Sequence, residues 1–111
     1  MATTTYKILG QSAPASTANA DLITVGASKS QIVSTLNIAN VTTTPATARV
    51  FARIAGAAAA ASNAILYDVA IAANSTASFT IGITLAATDV LTVQTGTADA
   101  LTFTAFGTEL A

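Results

Sequence analysis

The chain is expected to fold as an all-β protein, an antiparallel β-sandwich of about eight strands with jelly-roll or immunoglobulin-like connections. Apolar and polar residues alternate at period two through most of the sequence, the pattern of half-buried strands. Breaks rich in Gly, Pro, Asn, Asp and Ser interrupt that pattern about every ten to fifteen residues. Threonine fills many polar positions, and its branched Cβ suits a pleated surface for the same steric reason as valine. An OB-like barrel is the lesser alternative.

The strands can be taken in chain order. TTYKILG and ADLITV are the first two candidates. In QIVSTLNIAN, Ile32, Leu36 and Ile38 are assigned to one face, with Thr35 and Asn37 on the other. In ATARVFARIA the even positions from Ala46 to Ile54 are apolar, so Arg49, Phe51 and Arg53 fall together on the opposite face. Ile65, Tyr67, Val69 and Ile71 form the next apolar phase, which places Tyr67 in the core. Phe79, Ile81 and Ile83 follow, then Leu91 and Val93, then Leu101, Phe103 and Ala105, with Phe106 out of phase with the last set. Connections are expected at 12 to 21, 26 to 30, 40 to 45, 72 to 76 and 86 to 89, and at TGTAD.

The stretch AGAAAAASN favours helix by composition. Ala57 to Ala61 give little more than one turn, too short to repay nucleation. A small-residue loop or single turn at one end of the sandwich is the better reading, and its lack of charge suits it to lie flat against another subunit.

At 111 residues the chain is the size of one domain, 1–111, with residues 1–16 read as an N-terminal arm interrupted by Pro14. Hydrophobic residues reach 52%, yet aromatics are only 5%, so the core must be mainly aliphatic. Charged residues are 8%, against about 25% in typical soluble domains. With net charge −1, little repulsion separates one copy from the next.

Lys7, Lys29, Arg49 and Arg53 are the only cations, which provide no footprint for nucleic acid. No cysteine is present for disulfides or thiolate zinc sites. A signal peptide is not visible at MATTTYKILGQS, and no apolar run reaches the roughly 18 residues that span a bilayer, so no membrane role is expected.

Chemistry is sparse. Histidine is absent, and Asp21, Asp68, Asp89, Asp99 and Glu109 are scattered, with Asp21, Asp89 and Asp99 assigned to turns where aspartate bonds backbone amides. Lys29 with Ser28 or Ser30 is better explained as a solvated turn than as a dyad, and no calcium-loop spacing occurs. No catalytic residue, cofactor or metal is therefore expected, and the chain is read as non-enzymatic.

The informative rings are Phe51 and Phe106. Arg49, Phe51, Arg53 and Phe106 form the candidate protein interface, since aromatics and arginine are enriched at such surfaces. On that reading, alanine at Phe51 weakens assembly without unfolding the monomer; the alternative is that another segment covers the ring. A glycan site would need aromatic and amide groups together, and Asn63, Asn74 and Gln94 are not clustered in sequence.

YKILGQSAPAS, SKSQIVSTLNIAN, VFARIAGAAAAASNAILYD, VAIAANSTASFTIGITLAATDVLTV and LTFTAFGTEL together cover most of the chain. In these segments it resembles a group of small virion structural proteins of tailed bacteriophages, including those of marine bacteria and cyanobacteria. GASKS stands where that group often has a Pro-Ala-Gly turn, a departure confined to one loop. The resemblance implies a virion component, head- or tail-associated, assembled in the host cytoplasm. The expected function is a capsid decoration or cement protein, a homo-oligomer, specifically a trimer, that contacts the major capsid protein or another virion protein and bridges capsomers. The alternative is a tail or fibre module that recognises a host surface polysaccharide; a non-viral cell-surface sandwich ranks third.

Overall fold

The computed structural model describes residues 3–111, and over them alternation has become two packed antiparallel sheets. The strands are β1 (Thr4–Ser12), β2 (Ala20–Thr24), β3 (Ser30–Asn40), β4 (Ala46–Arg53), β5 (Ala64–Ile71), β6 (Thr76–Phe79), β7 (Ile83–Leu85), β8 (Val90–Thr95) and β9 (Leu101–Leu110). One sheet has the order β1-β9-β3, with β6 and β7 sharing the next position beside β3; the other is β2-β8-β4-β5. Nine segments thus fill eight strand positions.

The strand order decides between the two expected topologies. In an immunoglobulin-like sandwich the first two strands share a sheet. Here β1 and β2 lie in different sheets, as do β3 and β4, β5 and β6, and β8 and β9. The chain is a jelly roll.

Between the sheets lies an aliphatic core. Phe103, Leu36, Ile38, Ile71, Leu91, Leu101, Val50 and Val93 are fully buried, and Phe103 is the largest of them. Strict alternation is broken at bulges in both sheets, in the β1–β9 and β3–β9 ladders of the first and the β4–β5 ladder of the second. Each bulge moves downstream side chains to the other face, because side-chain direction has period two. In β3 the register shifts between Val33 and Thr35, so Ile32 turns outward at 41% exposure instead of sharing a face with Leu36 and Ile38. The β5 register skips from Val69 to Leu66, and Asp68 takes the left-handed conformation at φ 55°. Leu66 therefore packs against the core in the place expected for Tyr67, which is 51% exposed. A third shift, between Ile8 and Gly10, separates the outward Ile8 from Leu9, which packs inward.

Two further expectations are corrected, the continuous strand through Ile81 and the turn at Asp21. The run Phe79, Ile81, Ile83 is not one strand: Gly82, at φ 56°, breaks it between β6 and β7 and leaves Ile81 exposed. Within the monomer the N-terminal segment is not free, because Thr4–Ser12 pairs with β9 from Leu110 to Phe103 and Thr3 exchanges backbone bonds with Ala111. Residues 1 and 2 of the expected arm lie outside the described residues. Asp21 lies in β2 rather than in a turn.

Because Phe103 reaches from β9 into the space shared by both sheets, its truncation leaves a cavity that short aliphatic neighbours cannot fill. Phe103→Ala is expected to lower unfolding stability by about 3–5 kcal/mol, read as a lower urea midpoint with unchanged slope.

Candidate functional site

The four residues expected to form one interface are separated by the fold into three environments. Arg53 is a clamp. On the outer face of β4 its guanidinium donates from Nε to the Ala57 carbonyl (2.6 Å), from Nη2 to the Gly56 carbonyl (3.0 Å), and from Nη1 to Asp21 Oδ1 (3.1 Å) and Thr92 Oγ1 (3.0 Å). The planar fork of arginine satisfies four acceptors at once, an arrangement lysine cannot reproduce.

That clamp places the alanine-rich stretch. It forms two single 3-10 turns, Ile54–Gly56 and Ala61–Asn63, joined by extended residues, so composition yields to the cost of helix nucleation as expected. The first turn lies against β8 and the second against β4. Asp89 accepts from the Ala55 amide (2.9 Å) and the Ala86 amide (2.9 Å), and Asn63 ties down the Ala58 carbonyl and the Ala60 amide. Held this way, the segment lies across the outer face of the second sheet.

Phe51 is consequently not an exposed anchor. It is 4% exposed, and with Val90 it is buried outside the inter-sheet core, in the outer row of β4 and β8 beneath that segment. The alternative raised by the sequence, a covering connection, is what the fold uses. Phe51→Ala is therefore expected to lower folding stability, read as a lower urea midpoint.

Arg49 lies in the same outer row of β4, on the far side of Phe51 from Arg53. Its Nε and Nη2 donate to the two oxygens of Asp68 at 2.7 and 3.1 Å, and its guanidinium lies over the Tyr67 ring, 4.1 Å from the centroid. The β5 bulge makes this possible by turning Tyr67 and Asp68 outward together. The hydrogen bonds from Arg49 hold the Asp68 carboxyl below its ordinary range, and those bonds raise the Arg49 guanidinium in turn. Thr17, Thr47, Gln94, Thr95 and Gly96 complete a polar concavity of about 280 Å³ around the pair.

Phe106 belongs to the opposite sheet. On the outer face of β1-β9-β3 it sits beside Ile8, its register partner, and next to the row Tyr6, Thr108, Ile32. Tyr6 is 82% exposed and Ile8 52%. Tyr6, Ile8 and Phe106 line a shallow depression of about 550 Å³. Sequence reasoning missed Ile8 in this depression and Ile32 on the same outer face, because a bulge interrupts the phase of each strand.

On the inward side of those strands the apolar row ends in a polar cluster. Glu109 accepts from Gln31 (2.8 Å) and Lys7 (3.1 Å), with Lys29 at 3.9 Å, and its carboxylate side chain is 13% exposed. These contacts, the Gln31 bond first, hold its carboxyl below the ordinary range. Among the described residues no group of three His, Cys, Asp or Glu side chains is placed to hold a metal, and no helix is long and apolar enough to cross a membrane.

The architecture is therefore an all-β jelly-roll sandwich with an apolar depression on the outer face of one sheet and a polar concavity on that of the other. No family model matches the chain, and no curated protein does. Among solved structures, a chain in the structure of infectious bursal disease virus, Gx strain, shares its fold. The two superpose with a TM-score of 0.50 at 16% identity, over 98% of this chain and 31% of that one. The chain spans about a third of the length of the solved chain it matches.

Two outcomes are expected here. Arg53→Ala leaves the Gly56 and Ala57 carbonyls without their donor, at a cost of about 1–3 kcal/mol, and limited digestion with elastase then cuts within 55–62 under conditions where the parent is resistant. Acid sensitivity tests Glu109. A carboxyl whose folded pKa is depressed adds stability above its unfolded pKa, about 4.3, and loses that contribution as pH falls through the folded value. Glu109→Gln is therefore less stable than the parent at neutral pH, and thermal unfolding from pH 7 downward shows the gap narrowing in acid.

Proposed function

We propose that this protein is a structural component of a virion, and that it decorates and stabilises a head shell as a homo-oligomer, a trimer, bound to the major capsid protein. The observation that carries the reading is the apolar depression on the outer face of β1-β9-β3, where Tyr6 and Ile8 are exposed and Phe106 is half-buried, beside β1, an edge strand among the described residues. Exposed apolar residues grouped on one face mark protein contact, and an open strand edge offers backbone donors and acceptors to the same partner. The jelly-roll strand order is one that viral capsid domains use, and the solved chain sharing the fold comes from a virus structure. The resemblance to small structural proteins of tailed phages points to the same setting, and to a phage.

The contact would work by repetition. Each copy buries a few side chains, and the multivalent lattice converts modest interfaces into durable attachment. Low charge serves this, since each of Lys7, Lys29, Arg49 and Arg53 is already within ion-pair distance of a carboxylate of its own chain.

A triple variant Tyr6→Ser, Ile8→Thr, Phe106→Thr is expected to keep the folded spectrum and to lose particle binding, with at least a hundredfold drop in bound copies by gel stoichiometry against the shell protein. The parent protein should be present at hundreds of copies per particle and sediment as a trimer. A few dozen copies or fewer, located on the tail, would overturn the head assignment.

A further inference from the structure

The polar concavity on the second sheet is separate from that apolar face and is unexplained by it. Its construction is specific. The β5 bulge puts a non-glycine residue, Asp68, in the left-handed conformation and gives up a core position for Tyr67. Backbone strain of this kind concentrates where side chains are being aimed. What the bulge aims is a guanidinium, a carboxylate and, behind them, a ring that fixes the plane of Arg49. On the far side, Gln94 is fixed through its Nε2 donating to the Thr17 carbonyl (2.8 Å), so its Oε1 is oriented as an acceptor. Gly96 admits Thr47 so closely that a Cβ would collide with the Thr47 hydroxyl.

The unused capacity of these groups defines a ligand. Nη1 of Arg49 makes no hydrogen bond to the described residues, whereas Nε and Nη2 are spent on Asp68. Asp68 is half exposed and keeps lone pairs beyond those Arg49 occupies. Donors and acceptors therefore stand side by side on a pair whose charges cancel. An anion meets Asp68 and a cation meets Arg49, but a neutral group that both donates and accepts matches both. Hydroxyl groups do this. The volume, about 280 Å³, falls at the small end of ligand sites.

We infer that the concavity formed by Arg49, Asp68, Gln94 and Thr47 binds a neutral sugar unit. Tyr67 lies outside its lining and acts as a positioning residue for Arg49. This goes beyond a structural role and does not depend on it, because the site faces away from the Tyr6, Ile8 and Phe106 surface on the other sheet.

The test is a ¹⁵N NMR titration of the isolated protein with glucose, galactose, mannose and N-acetylglucosamine to tens of millimolar, and with inorganic phosphate in parallel. At least one sugar should give saturable shifts confined to the amides of Thr47, Asp68, Gln94 and Gly96 and the Arg49 Nε–H, while phosphate gives none that saturate. Asp68→Asn preserves a residue type that tolerates the left-handed backbone. It should weaken the sugar at least tenfold and create a phosphate response at Arg49, now uncompensated. Gln94→Ala, outside the bulge, should also weaken the sugar and leave phosphate without effect. Absence of saturable shifts with all four sugars, or sugar affinity unchanged in both variants, or saturable phosphate binding by the parent protein at these amides, overturns the inference.

Discussion

The structure depends on the packing of one row of β9 side chains, Leu101, Phe103 and Ala105, between two sheets that have few other large groups to offer. β9 pairs with β1 on one side and β3 on the other, so its inward row is fixed by hydrogen bonds along both edges. Farther along, Gly107 lets β3 approach where a Cβ would run into the Ile32 carbonyl. A core this poor in aromatics tolerates little misplacement, since its stability comes from close contact of small aliphatic groups rather than from large buried areas. The long ladders about β9 and β3 supply that precision.

Both outer surfaces are consequences of irregularities in the ladders, one set in each sheet. A regular strand places every second residue in the core, and in a chain with this composition the remainder would be uniformly threonine, serine and alanine. Bulges interrupt the alternation where the protein has something to present. In β3 and β1 they help bring Ile32 and Ile8 out beside Tyr6 and Phe106; in β5 the bulge brings out Tyr67 and Asp68 to meet Arg49. The same device produces an apolar face on one sheet and a hydroxyl-compatible concavity on the other.

The scarcity of charge is handled locally. Lys7 and Lys29 share Glu109, Arg49 is bidentate on Asp68, and Arg53 reaches Asp21 while bonding two loop carbonyls. Exposed pairs of this sort contribute little stability by themselves. Their service is geometric: Arg53 closes the alanine-rich segment over Phe51 and Val90, and Asp68 orients Arg49. The uncharged segment is thereby a lid on its own sheet, with its outer side still open to solvent at Ile54.

Period-two alternation and turn chemistry are local properties, and they were enough to define the all-β sandwich, most strand positions and the turns after Val25, Asn40, Ile71 and Leu85. They also showed that the alanine run was too short for a stable helix. What they could not carry was phase across a bulge. Ile32 and Tyr67 were misassigned because one extra residue reverses every following side chain, and a bulge is set by pairing with a distant strand rather than by the residues it contains. Phe51 and Arg53 were misread for a related reason: whether an outward ring is exposed depends on which connection folds over it, and that is decided by contacts among Arg53, Asp21, Thr92 and Asp89, far apart in the chain. The choice of jelly roll over the immunoglobulin-like order likewise belongs to the tertiary structure, because composition and spacing are the same in both and only the non-local ladders distinguish them.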